Sequence, residues 1–133
     1  MGIYLSVWKK YAVFNGRAGR KEYWIFSLID FLVMYGLVGI SIMMENPVEY
    51  EYASSDIGFF QVAYMFYLFA GFLPRLAVTV RRLHDSNKSG WWVLAGSIPL
   101  AGGLVILYMT VQPSDEGDNY FGSMPGSYEE PYG

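Results

Sequence analysis

No cysteine occurs in the chain, and His84 is its one histidine. The first absence excludes a disulfide framework and thiolate metal sites, and the second argues against a histidine-built metal site. Charge is scarce as well, at 16% of residues, and positive charge is missing from long stretches. All nine Lys and Arg residues lie between Lys9 and Lys21 or between Arg75 and Lys88, so the formal net charge of -3 hides a strong asymmetry. With so few bases beside so much apolar sequence, a nucleic-acid surface is not expected. What the chain has instead is apolar and aromatic residues, 53% and 19% of the total, high for a soluble domain. Its 133 residues allow one domain.

Residues Ile3 to Phe14 place Tyr4, Val7, Trp8, Tyr11 and Phe14 at three- and four-residue spacing, with Lys9 and Lys10 opposite. This predicts an amphipathic helix, too short to span and suited to lying in the headgroup layer, with packing on a protein core as the alternative. Gly16 is the expected stop signal. From Trp24 to Met44 about 21 residues carry one charge, Asp30, enough to cross a hydrocarbon core of roughly 30 Å. The sequence SIMMENP at its end does not read as a signal-peptide cleavage site, so this run is expected to stay in the membrane. Glu45 to Asp56 holds four carboxylates and no base and reads as an exposed loop. A second apolar run covers 57–80, with an expected bend at Gly71 to Pro74. After a hinge, Trp91 to Val111 supplies a third run of about 21 uncharged residues, opened by Ser89 as N-cap. Pro99, Ala101, Gly102 and Gly103 mark a kink or a close-packing patch within it. Residues 1–125 thus read as one integral membrane domain of all-α class, with three transmembrane helices and an interfacial N-terminal helix. The tail 126–133 reads as flexible.

The positive-inside rule places the N terminus and hinge in the cytoplasm. Three crossings then put the acidic loop and the base-free tail on the outer side, whereas an even number would return the tail to the side of the bases.

Three motifs carry a resemblance. They are Phe14-Asn15-Gly16-Arg17-Ala18-Gly19-Arg20-Lys21-Glu22-Tyr23-Trp24, the hinge Arg81-Arg82-Leu83-His84-Asp85 with Lys88-Ser89-Gly90-Trp91-Trp92, and Gly117-Asp118-Asn119-Tyr120-Phe121-Gly122 with Pro125. Together they resemble domain of unknown function 805, the YhaH-type inner-membrane proteins of bacteria. The resemblance implies a small protein of the bacterial inner membrane with no activity attached. It also marks Gly16, Glu22, His84, Asp85, Gly90, Asn119 and Gly122 as motif residues, and Arg75 as a charge particular to this chain.

Several residues invite a site reading. Arg17, Arg20, Lys21, Arg81, Arg82 and Lys88 are expected to bind anionic lipid headgroups and fix orientation, at roughly 1 kcal/mol per base. Trp24, Trp91 and Trp92 are expected as interface anchors. Asp30 and Arg75 are set inside apolar runs, and either they pair or Arg75 snorkels while Asp30 is protonated or bonded to a hydroxyl. Glu22 is expected to tether Arg17 or a hinge arginine, and Asp85 to accept from Arg81 or to cap the turn through its backbone. His84, Asp85 and Ser86 have the residue types of a hydrolytic triad, but immediate neighbours point in different directions. No cofactor is implied, and no enzyme chemistry is expected. The functional expectation is a non-enzymatic scaffold or regulatory subunit that engages anionic lipids and a membrane-protein partner or a second copy. A small oligomeric channel or transporter built around Asp30 is the alternative.

Overall fold

The structure is a computed structural model, and it describes residues 2–44 and 58–125. The acidic loop and the tail 126–133 of the sequence reading lie outside the described residues. Four α-helices occur: α1 (Gly2–Lys9), α2 (Arg20–Met44), α3 (Phe59–Asp85) and α4 (Ala101–Val111), with a 3₁₀ helix, Gly90–Ser97, before α4. The contacts form two units, Met1–Phe26 with Leu73–Gly133, and Ser27–Phe72.

Helices α2 and α3 contain 25 and 27 residues, roughly 37 and 40 Å of rise, and both are long and apolar enough to cross a bilayer. Their most apolar windows are only 11% and 22% buried, where the core helix of a soluble protein would be mostly buried. Within Ser27–Phe72, Leu28, Leu32, Met43, Phe59, Phe66 and Phe69 are all more than half exposed. Bilayer hydrocarbon is the solvent that makes such a surface stable. The helical assignment of α3 runs through Pro74, which is buried.

In the other unit, α1 is shorter than its pattern suggested, because the chain leaves the helix after Lys9 through turns closed by Lys10 N–H to Ser6 O and Val13 N–H to Lys10 O. Its apolar face packs on protein rather than lying free for lipid. Val7 is buried with Ala18, Phe26 and Val78, and the Tyr4 ring stacks on Phe26 at 5.3 Å. An aromatic stripe fits either setting, and the Ala18 and Phe26 surface supplies the nearer apolar partner.

The third apolar run does not form one helix. Ser89 caps the 3₁₀ segment as expected, its hydroxyl accepting from Trp91 N–H. The segment then breaks at Leu100, whose φ of 64° and ψ of -58°, with Ala101 N–H bonded to Pro99 O at 2.8 Å, make a strained γ-turn. Helix α4 packs back on the 3₁₀ segment with backbone touching backbone. A Cβ on Gly102 would lie 2.3 Å from Ala95 O, so only glycine permits this corner. At 11 residues, α4 rises roughly 16 Å, about half a hydrocarbon core. Proline and the two glycines were read as a kink or a close-packing patch; the close packing is at Gly102, and the chain there divides the run in two rather than kinking one helix.

Candidate functional site: a buried arginine and aspartate lock

The last turn of α3 is where the sequence motifs meet. Its end is a Schellman motif: Lys88 N–H bonds Leu83 O at 2.9 Å and Asn87 N–H bonds His84 O at 3.0 Å, with Asn87 in the left-handed region at φ 55°. This fixes Asp85 inside the unit, fully buried. One Asp85 oxygen accepts from Arg17 Nε at 2.9 Å, and the other from Arg82 Nη1 at 2.6 Å and from the Ser114 hydroxyl.

The two guanidiniums spend their remaining donors on backbone carbonyls. Arg17 Nη1 donates to Gly117 O at 2.6 Å, and Nη2 to Asp115 O at 2.6 Å and Asp85 O at 3.2 Å. Arg82 Nε donates to Thr110 O at 2.9 Å and Nη2 to Gln112 O. Those last two carbonyls lie at the C-terminal end of α4, where unpaired C=O groups concentrate partial negative charge and a cation is favoured. Planar five-donor arginine suits this geometry, and lysine would not reproduce it. One carboxylate between two guanidiniums therefore ties together the segment after α1, the end of α3, the end of α4 and the chain that follows.

A second ion pair stands beside it. Arg81 Nη1 donates to Glu22 at 2.8 Å, and Lys10 Nζ approaches the same carboxylate at 3.8 Å. The tether expected of Glu22 is thus made to Arg81, while Asp85 is served by Arg17 and Arg82 rather than by Arg81. Arg81 O also accepts from Ala18 N–H at 2.9 Å.

His84 points away from the lock. Its Nδ1 donates to Gly16 O at 3.1 Å, and its ring stacks on Phe121 with centroids 3.9 Å apart. It lies in the last turn of α3. Asn119 closes the third motif: its Nδ2 donates to His84 O at 3.0 Å, its Oδ1 accepts from Phe121 N–H, and its backbone bridges Gly122, which has φ 130°. Gly16, at φ 87°, makes the turn before Arg17. The Ser86 hydroxyl bonds Leu83 O, so His84, Asp85 and Ser86 serve three different partners.

This corrects the headgroup reading for three residues. Arg17, Arg81 and Arg82 are 8%, 2% and 0% exposed; Asp85 and backbone carbonyls meet the donors of Arg17 and Arg82, while Arg81 is bonded through Nη1 to Glu22 and its Nε and Nη2 are buried without a partner among the described residues. Arg20 and Lys21 are exposed and Lys88 is half-buried. Trp24, Trp91 and Trp92 are all exposed, Trp91 the most at 79%. Asp30, buried in its own unit, accepts from the Tyr67 hydroxyl at 2.6 Å. That hydroxyl is the kind of partner the sequence reading weighed against Arg75. Arg75 sits half-buried on α3, and its carbonyl accepts from the Thr79 hydroxyl. Among the described residues no group of three acidic or histidine side chains is arranged to hold a metal ion.

The residues that build the lock are those of the sequence motifs, and residues 11–123 match the family described as protein of unknown function, DUF805. The chain belongs to the DUF805 family. Inner membrane protein YhaI of Escherichia coli K12 is 42% identical over 125 residues, covering 94% of this chain and 96% of its own. Inner membrane protein YhaH of the same strain is 37% identical, covering 94% and 97%. The uncharacterized protein YiiR is 34% identical over 100 residues, 71% of this chain and 58% of its own. No solved structure matches. With relatives named for the inner membrane and two long apolar helices that the fold leaves exposed, this DUF805 chain is a membrane protein.

Proposed function

We propose that the protein is a non-enzymatic membrane scaffold with two crossings, α2 and α3, and that its N-terminal segment, hinge and C-terminal segment share the cytoplasmic face. The observation that carries this reading is the lock itself. Arg17, Asp85, Asp115 and Gly117 are joined by direct hydrogen bonds, and groups so joined cannot lie on opposite sides of a bilayer. The orientation with the C terminus outside therefore gives way to the even-numbered one, and the base-rich side sets which face it is. On that face the exposed Lys9, Lys10, Arg20 and Lys21 are the residues offered to anionic headgroups. The buried arginines give them a rigid platform, beside which a membrane-protein partner or a second copy docks.

Absence of native cysteine makes the topology directly testable, since each introduced cysteine is the sole thiol. Asp118→Cys is expected to resist an impermeant maleimide in intact cells and to react after lysis, while Ser54→Cys reacts in intact cells. Labelling of Asp118→Cys from outside would reject the two-crossing reading.

A further inference from the structure

The unit that holds the lock also contains a cavity of about 540 Å³ that plays no part in it. Its walls are apolar, formed by Phe14, Leu76, Val80, Trp91, Leu94 and Phe121, and no Lys, Arg, Asp or Glu lines it. The size lies in the range of small-ligand sites, roughly 300–1,000 Å³. At its mouth Trp91 and Leu94 are 79% and 59% exposed, so the entrance is apolar too.

Two polar groups face this space, and their hydrogen-bonding sense is fixed. The Gly16 carbonyl can only accept, so the proton of the neutral His84 ring sits on Nδ1 and Nε2 presents a lone pair. Stacking on Phe121 holds the ring in place. Nε2 faces Gly90, where a Cβ would stand 3.2 Å from it and 2.6 Å from Val80 Cγ1, so a larger residue would crowd this end of the cavity. The Ser89 oxygen accepts from Trp91 N–H at 3.4 Å, which leaves its own hydrogen to donate.

We propose that this cleft binds one neutral long-chain membrane lipid whose hydroxyl head donates to His84 Nε2 and accepts from Ser89. A carboxylate head would set its lone pairs against that of Nε2 and bring a charge into an apolar lining with no cation to meet it. A wholly apolar occupant, such as a partner's leucine, would leave Nε2 buried and unsatisfied. The site is separate from the headgroup surface of Arg20 and Lys21, so either can fail without the other.

The test uses the full chain in mild detergent with a diazirine-bearing long-chain alcohol and the matching carboxylate at pH 8, cross-links being mapped by mass spectrometry. The alcohol is expected to label residues 89–94 and the Phe121 region at least about tenfold more than the carboxylate, the equivalent of one well-made hydrogen bond to a buried group. Leu94→Trp fills the mouth from an exposed position and is expected to abolish this labelling while leaving the melting temperature unchanged. His84→Asn keeps a donor for Gly16 O but removes Nε2, and is expected to erase the preference for alcohol; His84→Gln, which returns an acceptor near the Nε2 position, restores part of it. Equal labelling by alcohol and carboxylate, labels without enrichment at the cleft, or undiminished labelling of Leu94→Trp would each overturn the proposal.

Discussion

The unit made from the two ends of the chain buries Arg17, Arg81, Arg82 and Asp85, whereas among the described residues of Ser27–Phe72 one acid, Asp30, is buried and no base. In the first unit Arg17 and Arg82 meet Asp85 and at least five backbone carbonyls, and Arg81 meets Glu22. The second gives Asp30 a tyrosine hydroxyl and otherwise turns phenylalanine, leucine and methionine outward. Charged groups are buried where loop and helix-end carbonyls are available, and such carbonyls are absent from the middle of an α-helix, whose backbone bonds are internal. The part of the chain that carries the family motifs is therefore held by directional polar bonds, and the other part presents an apolar surface.

That contrast makes graded expectations. Asp85→Ala would leave two guanidiniums buried without their counter-ion and is expected to cost about 3–5 kcal/mol, the cost of breaking a buried ion pair from one side. Thermal unfolding in detergent measures it, and limited proteolysis should show residues 113–125 released together. A loss below that of any change in the second unit would break the comparison. Tyr67→Phe removes the hydroxyl from Asp30 and is expected to cost about 1–2 kcal/mol, as for a hydrogen bond to a buried acid, with residues 113–125 still protected from protease. The double change Arg20→Gln with Lys21→Gln should alter stability by no more than about 0.5 kcal/mol, since both are exposed. Its effect belongs in lipid retention, where native mass spectrometry is expected to show fewer anionic lipids carried through purification. Unchanged retention would confine the headgroup role to other bases.

The two long apolar helices were legible in the sequence because length and apolar composition suffice to specify them. The Ser89 cap and the bond from Glu22 to a hinge arginine were legible too, since each is local or joins opposite charges. Two things were not. The corner at Leu100 depends on a backbone approach that only Gly102 allows, and Trp91 to Val111 has the composition of a span either way. The lock was hidden because most partners of Arg17 and Arg82 are main-chain carbonyls, which every residue has and which carry no side-chain signature. Arginine in a membrane protein therefore read as lipid-facing. The tyrosine partner of Asp30 was likewise one of several aromatics in an apolar run.

Arg17 finds its carboxylate 68 residues further along the chain and its loop carbonyls about 100 residues further. At synthesis rates of roughly 5–20 residues per second, those carbonyls appear several seconds after the arginine does. Throughout that interval Arg17 is without the partners that bury it in the finished fold. Only when the last segment emerges does the same guanidinium exchange water for Asp85 and the carbonyls of Asp115 and Gly117. The clasp is therefore closed late, with the length of chain between Arg17 and its partners acting as the timer.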